Sequence, residues 1–382
     1  MLNGIYLTLL VGPVVPIPVP QIVIDALTSV KVISTTEIDP VTHKGSVFEL
    51  SFTLSNKSPL HTIFLLAAGN TPLLRVILIV TINGSPQVLM DGVTTMMQVT
   101  PGTEPSHSAL TVTGEDLTKV MASNMFDLSG LPYPAMPAEA RVALIIAKYA
   151  MFGLIPFVVP SFFPDVPIPT DRIPTHQGND LEYVQKLAAD VGYVFYIDPG
   201  PVPGVNTAYW GPEIKIGPPQ PALNLNMDAH TNVESINFNF RTGEKVLPIV
   251  FIQNALTKAP IPIPIPDINP LQPPLGATAL LPTRIEVLRD TAKASPMQAI
   301  SRGLAVASSS ADAVTGSGSL DVLRYGRLLK ARQLVGVRGA GLAFDGLYFV
   351  KSVTSTMKRG EFKQSFELTR NGLVSITPTV PV

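Results

Sequence analysis

Polar and apolar positions alternate with a period of two over much of the first 120 residues. From Lys44 to Asn56 the apolar Val47, Leu50, Phe52 and Leu54 are set among polar neighbours, the pattern of a strand with one buried face. Leu73 to Ile82 is rich in β-branched residues and ends at Asn83-Gly84, the strongest short hairpin signal. Gln87 to Met90 then reads as the returning strand, Asp91-Gly92 as a second turn and Val93 to Val99 as a further strand. Ala109 to Thr113 leads through Gly114, Glu115, Asp116 and Leu117 into a short helix. Closely spaced strands joined by turn dipeptides predict an antiparallel barrel or sandwich.

The period changes in the middle of the chain. Pro137 to Phe152 reads as a buried or interface helix, with Pro137 and Glu139 suited to its start. A proline-rich connector, Pro156 to Pro174, separates it from a complete helix-to-strand unit, Gln177 to Asp198. There Asn179 is a good N-cap, and Glu182 three residues on can close a capping box. Leu181, Val184, Leu187, Ala188 and Val191 form one helical stripe, with Glu182, Gln185, Lys186 and Asp190 opposite. Gly192 stands where a left-handed C-cap would end the helix, and Tyr193 to Ile197 continues as a short strand. Asn206 to Ile216, holding the single tryptophan Trp210, is strand-like.

Alternation returns at Val233 to Phe240. Ala259 to Pro274 is so rich in proline that it predicts an extended polyproline II segment, a stiff spacer or a strap over a neighbour. Ser295 to Val314 predicts a helix, and Thr315 to Ser319 a flexible Gly/Ser turn. Leu347 to Met357 and Phe362 to Thr369 form a hairpin around Lys358-Arg359-Gly360-Glu361. In its second strand Phe362, Gln364, Phe366 and Leu368 face one way, and Lys363, Ser365, Glu367 and Thr369 the other.

Three of these segments carry a resemblance. The wording of Gln177 to Asp198, with Asn179, Asp180, Leu181, Glu182, Leu187, Gly192, Tyr193 and Phe195, resembles the phage late control D family. These are baseplate hub proteins of contractile tails and the hub portion of VgrG-like spikes. The order "VLMDGVTTMMQVTPG" then "LTVTGEDL" is similar to the end of the first hub barrel. The run from Gly346 to Gly372, with Gly346, Tyr348, Phe366 and Arg370, is similar to the closing strands of hubs.

The resemblance implies a mixed, β-rich α+β fold. It would have two tube-like antiparallel β-barrels, an α/β middle domain and proline-rich insertions. The expected limits are 1–125 for the first barrel and 126–225 for the middle domain. The second barrel would begin at 226–255, be interrupted by a proline-rich and helical insertion at 256–319, and close with 320–382. The implied role is a homotrimeric structural hub that adapts a six-fold tail tube to a three-fold spike. Its expected partners are itself, a tube or tube-initiator protein, a separate trimeric spike and baseplate wedge proteins. It would be assembled in the producing cell's cytoplasm and carried in a virion tail or released contractile particle.

Composition adjusts this picture. Charged residues make up 14% of the chain and the net charge is −1, against about 25% charge in an ordinary soluble domain. Either other subunits cover much of the surface, or this is a sparsely charged, robust β-protein. No basic run tracks phosphates, so specific nucleic-acid binding is not expected. The chain has no cysteine, which excludes disulfides, thiolate zinc sites and a cysteine nucleophile. Leu2 to Ile24 is uncharged but broken by Pro13, Pro16, Pro18 and Pro20, and Val142 to Val159 is interrupted by Lys148, Gly153 and Pro156. Neither reads as a membrane span.

His43, His61, His107, His176 and His230 lie far apart without metal-binding spacing, and read as surface or packing residues. Asp180 with Glu182 is better explained by capping and the helix dipole than by acid–base chemistry. No catalytic residue, cofactor site or metal site is expected, and no enzyme activity. The chain ends at Val382 with no needle domain after the closing strands, so the spike is expected on another polypeptide. Two other classes remain open: a non-catalytic β-rich binding module of tail-fibre or carbohydrate-binding type, and a cell-wall hydrolase using scattered carboxylates.

Overall fold

A computed structural model describes residues 4–36, 45–55, 58–66, 69, 73–102, 108–123, 125–126, 128–161, 166–170, 173–243, 245–253, 259–267, 272–288 and 296–376. His43, His107 and the tail after Ile376 lie outside them.

The first part contains β1 (Ile5–Gly12), β2 (Ile17–Pro18), α1 (Gln21–Ala26), β3 (Leu27–Thr35), β4 (Val47–Leu54), β5 (Arg75–Ile82), β6 (Ser85–Thr100) and β7 (Ser108–Asp116), followed by α2 (Thr118–Ala122). β4 buries Phe48, Leu50, Phe52 and Leu54, as its alternation predicts. β5 turns into β6 at Asn83 and Gly84, whose φ angles of 50° and 81° are those of a tight primed turn.

The middle part holds α3 (Ala138–Ala147), β8 (Leu154–Val158), α4 (Asp180–Val191), β9 (Val194–Pro199) and β10 (Asn206–Gly211). β8, β10 and β9 form a three-stranded sheet in that order. Val142, Ile145 and Ile146 of α3 and Leu181, Val184 and Leu187 of α4 pack with Trp210 and Phe195 from one face of this sheet. Pro137 is the N-cap of α3 rather than its first residue, and the expected single helix to Phe152 ends in a separate 3-10 turn, Ala150–Phe152.

The last part runs β11 (Gln220–Asn224), β12 (Val233–Phe240), β13 (Val246–Gln253), β14 (Pro260–Pro264), β15 (Gly276–Ala279), β16 (Arg284–Val287), α5 (Pro296–Ser309), β17 (Val314–Asp321), α6 (Val322–Tyr325), β18 (Leu334–Arg338), β19 (Gly346–Lys358), β20 (Glu361–Arg370) and β21 (Gly372–Ser375).

The protein is β-rich, and one large, mostly antiparallel sheet dominates it. Its hydrogen-bonded path is β12-β17-β20-β19-β3-β4-β7-β6-β5-β1-β2, with β18 on β19 and β11 on β18. Two tube-like antiparallel barrels were expected from the resemblance; among the described residues the strands join in one hydrogen-bonded path, and no closed barrel is found. The β19–β3 pairing, Ser352↔Thr35 to Lys358↔Ser29, makes the junction. Two cores nevertheless lie within it. One gathers Leu9, Val32, Phe48, Leu50, Phe52, Val76, Leu78 and Val112, the other Val80, Val314, Val335, Tyr348, Val350, Phe362, Phe366 and Leu368. β5 serves both, with Val76 and Leu78 in the first and Val80 and Ile82 in the second.

Three local expectations are corrected. Asp91-Gly92 is no turn: β6 runs through it, and the Asp91 carboxylate is taken by Arg75 on β5 instead of by a turn amide. Thr315 to Ser319 is no flexible turn but the centre of β17, where Gly318 lies under the Phe366 ring. Pro260–Pro264 is not polyproline II but a strand on β13, with Ile252↔Ile261 and Val250↔Ile263. Ile265 N–H donates to Pro248 O, so Ile263 and Ile261, two and four residues earlier, turn their N–H groups the same way. Proline's missing donors then face the open edge.

Candidate functional site

The residues that carry the resemblance fall in two places. Eight lie in the α4–β9 unit of the middle layer. Asn179 Oδ1 accepts from Glu182 N–H at 2.9 Å, and Asn179 N–H donates back to Glu182 Oε2 at 3.3 Å, the expected capping box. Leu181 and Leu187 are buried. Gly192 ends the helix in the left-handed region at φ 73°. A Cβ there would stand 2.7 Å from Ala305 Cβ, so the glycine also lets α5 approach. The Tyr193 hydroxyl donates to Pro160 O at 3.0 Å, and its ring meets Trp210 edge-on at 4.9 Å. Phe195 is buried in the same layer.

Asp180 does more than the capping role expected of it. At the first turn of α4 it points inward, where its carboxylate accepts from Lys148 Nζ and from the Tyr149 hydroxyl, each at 2.5 Å. His176 Nε2 stands 3.3 Å from the other oxygen, and the His176 Nδ1 lies 3.1 Å from the Tyr133 hydroxyl. Burial, and then the hydrogen bond to Asp180, push the Tyr149 hydroxyl far above its usual range. Burial with the neighbouring Tyr183 and Asp180 pushes Tyr133 to about 12. This cluster ties α3 to the start of α4. His176 is therefore a packed interior residue, one of the two readings its sequence allowed.

The other four residues lie at the closing hairpin, and three of them touch. Arg370, fully buried, donates from Nε to Gly372 O at 2.7 Å, from Nη1 to Asp345 O at 2.9 Å and from Nη2 to Ala343 O at 2.7 Å. Its guanidinium lies 4.5 Å from the ring centroid of Tyr348. Gly346, at φ 129°, leaves room for it: a Cβ there would be 3.0 Å from Arg370 Nη1 and 2.5 Å from Ser375. Burial pulls Arg370 below the usual arginine range. Phe366 stands apart from this group, in the core under β17.

Sequence reasoning missed two further knots. Arg75 binds Asp91 from β5 to β6 and also donates to Val14 O at 3.0 Å and Phe152 O at 2.8 Å, while Asn206 Nδ2 donates to Asp91 at 2.8 Å. That joins the large sheet to the middle layer. Arg332 pairs with Asp198, donates to Thr35 O and lies 4.0 Å from the ring centroid of Tyr196. Tyr196 stacks on Tyr209 at 4.8 Å and Tyr209 on Phe157 at 5.7 Å. An aromatic ladder thus crosses the outer face of the three-stranded sheet and ends at Phe157, which is 54% exposed, as is Ile155 beside it. Each residue is unremarkable in sequence; only the β10–β9 and β10–β8 register aligns them.

The geometry offers buried ionic joints and exposed apolar strand faces. Among the described residues no group of three or more His, Asp or Glu side chains could hold a metal ion, and no helix is long and apolar enough to cross a membrane.

No protein-family model matches the chain, and no curated protein matches it. Solved structures do. A tail protein from Neisseria meningitidis is similar over 97% of this chain and 98% of its own, at 14% identity and a TM-score of 0.60. The 43 kDa tail protein of prophage MuSo2 from Shewanella oneidensis is similar over 96% and 98%, at 15% identity and 0.61. A chain of the Francisella PdpA–VgrG complex is similar over 100% of this chain and 55% of its own, at 7% identity and 0.58. The chain therefore shares, over nearly its whole length, the fold of these two tail proteins.

Proposed function

We propose that this protein is the baseplate hub of a contractile tail or injection particle. Three copies surround the axis and present a tube-like face to a six-fold tube and a three-fold face to a trimeric spike. The observation that carries the reading is the nearly end-to-end likeness to two tail proteins, one of them from a prophage. The likeness to a chain of the PdpA–VgrG complex, together with the resemblance to the hub portion of VgrG-like spikes, supports a spike as partner.

In this reading the two cores of the large sheet are the interiors of two tube-like barrels, 1–125 and 226–255 with 320–382. The 126–225 domain braces them, and 256–319 is an insertion. The twelve residues of the resemblance are structural. Asn179, Asp180, Leu181, Glu182, Leu187, Gly192, Tyr193 and Phe195 shape the brace, and Gly346, Tyr348, Phe366 and Arg370 lock the last strands. The work is symmetry matching through buried interface, without catalysis. Low charge and exposed Ile155, Phe157 and Leu342 suit such interfaces. Tube, tube-initiator and wedge proteins are the further partners, the particle's tail is the location, and assembly occurs in the producing cell.

Native mass spectrometry of the purified chain, alone and with its spike, tests the proposal. Three copies are expected. A stable monomer under both conditions would remove the hub assignment.

A further inference from the structure

Between α3 and α4 lies a cleft of about 240 Å³. Arg141 lines it from the first turn of α3 and is only 7% exposed. Its Nη1 donates to the Tyr183 hydroxyl at 2.7 Å and its Nε to Pro137 O at 3.4 Å. Among the described residues no carboxylate comes within ion-pair distance of it, and Nη2 has no protein acceptor. Lys186, three residues beyond Tyr183 on α4, lines the same cleft. Its ammonium donates to Gln177 Oε1 at 2.7 Å and likewise has no carboxylate partner among the described residues.

The two acids of the cleft do not balance these charges. Asp190 is paired with Arg302, and Glu139 accepts the Ser161 N–H at 2.8 Å. Two unpaired cations therefore face one unpaired carboxylate, an excess of one positive charge. A guanidinium this deeply buried without a counter-ion is costly to keep, and it lines the cleft.

We propose that this cleft binds a carboxylate. The planar fork of Arg141 matches a planar two-oxygen acceptor, and Lys186 supplies the second charge. A single negative charge neutralises the excess, whereas a phosphate dianion would meet repulsion from Glu139. Leu187, Val191, Ala138 and Pro174 form apolar walls that accept a short methylene stem. The carboxylate comes either from a glutamate side chain of a protein partner or from a free short-chain acid.

The test is thermal melting of the full-length protein at constant ionic strength. Sodium propionate is titrated against sodium chloride, in parallel with acetyl-Ala-Glu-Ala-amide and with inorganic phosphate. A saturable rise of the melting midpoint with propionate or the peptide is expected, absent in Arg141→Met. Lys186→Met, at an exposed position that leaves the core untouched, should weaken apparent affinity about fivefold, the scale of one surface ion pair. Tighter peptide binding assigns the site to a protein partner, and response to propionate alone to a free acid. No saturable rise with either carboxylate overturns the proposal, as does tighter binding of phosphate. So does an unchanged response in Arg141→Met. If Arg141→Met does not fold, an unchanged response in Lys186→Met overturns it.

Discussion

Arg75 grips Asp91 through two parallel bonds, Nε to Oδ1 and Nη2 to Oδ2, each 2.7 Å long. Both side chains are almost wholly shielded from water. The same guanidinium reaches the carbonyls of Val14 and Phe152, so this ion pair is one of the joints between large sheet and middle layer. Asp91→Ala would strand a buried cation, and should cost about 3–5 kcal/mol in urea unfolding. A loss below about 1 kcal/mol, the scale of a surface pair, would mean that the joint contributes little.

Arg370, Tyr348 and Gly346 should behave as a unit. Arg370→Met leaves three carbonyl oxygens without their donor, for an expected loss of about 3 kcal/mol or more. Gly346→Ala meets both the positive φ and the Arg370 guanidinium, costing about 1–3 kcal/mol. In the double variant the two losses should fall short of their sum, because the alanine methyl no longer meets the guanidinium. Strict additivity in a double-mutant cycle would show that the arginine and glycine are independent.

What the sequence made legible was local. The capping box of Asn179 and Glu182, the Asn83-Gly84 turn and the alternation of Phe362, Phe366 and Leu368 involve near neighbours, and the structure has all of them. The failures came where a distant partner decides. Asp91-Gly92 has the letters of a turn, but Arg75 sixteen residues away captures the aspartate. Thr315 to Ser319 looks flexible until β12 and β20 flank it and Phe366 covers its glycine. The Asp180 cluster was half legible, since the acid was placed at a helix start but nothing in the spacing revealed Lys148, Tyr149 and His176 around it.

Alkaline pH should weaken the fold through its buried tyrosines. Burial raises both Tyr133 and Tyr209 to about 12 from an ordinary 10. Above pH 10 the unfolded chain releases these protons while the folded chain keeps them, so stability falls as pH rises toward 12. Each group should contribute a slope of about 1.4 kcal/mol per pH unit in that window. Tyr133→Phe loses the hydrogen bond to His176, about 1 kcal/mol near pH 8, but should show a shallower decline between pH 10 and 12. Identical slopes in urea titrations of the two proteins would refute the assignment.

Two substitutions in α4 separate cap from stripe. Asn179→Ala removes one side of the capping box at the surface and should cost about 1 kcal/mol. Leu187→Asp places a carboxylate in the middle-layer core and should cost several times more, roughly 3 kcal/mol upward. Equal urea midpoints would contradict the helix orientation.

The largest expected effect concerns β20, which lies between β17 and β19 and pairs with both along its length. Deleting Gly360 to Val382 removes an interior strand. β17 and β19 each lose a neighbour, and the Phe362, Phe366 and Leu368 share of the second core goes with them. Both new edges would be long and border exposed core, a template for pairing with other chains. The truncated protein should therefore be insoluble or fail to oligomerise, and, on the proposed hub role, particles carrying it should lack assembled tubes. Truncation from Ile376 spares every strand of the large sheet, so its effect should be far milder. Electron microscopy of particles made with each form distinguishes the outcomes. Normal-length tubes on the larger deletion would mean that the second core closes without β20, and that the sheet order beyond β19 has no part in tube nucleation.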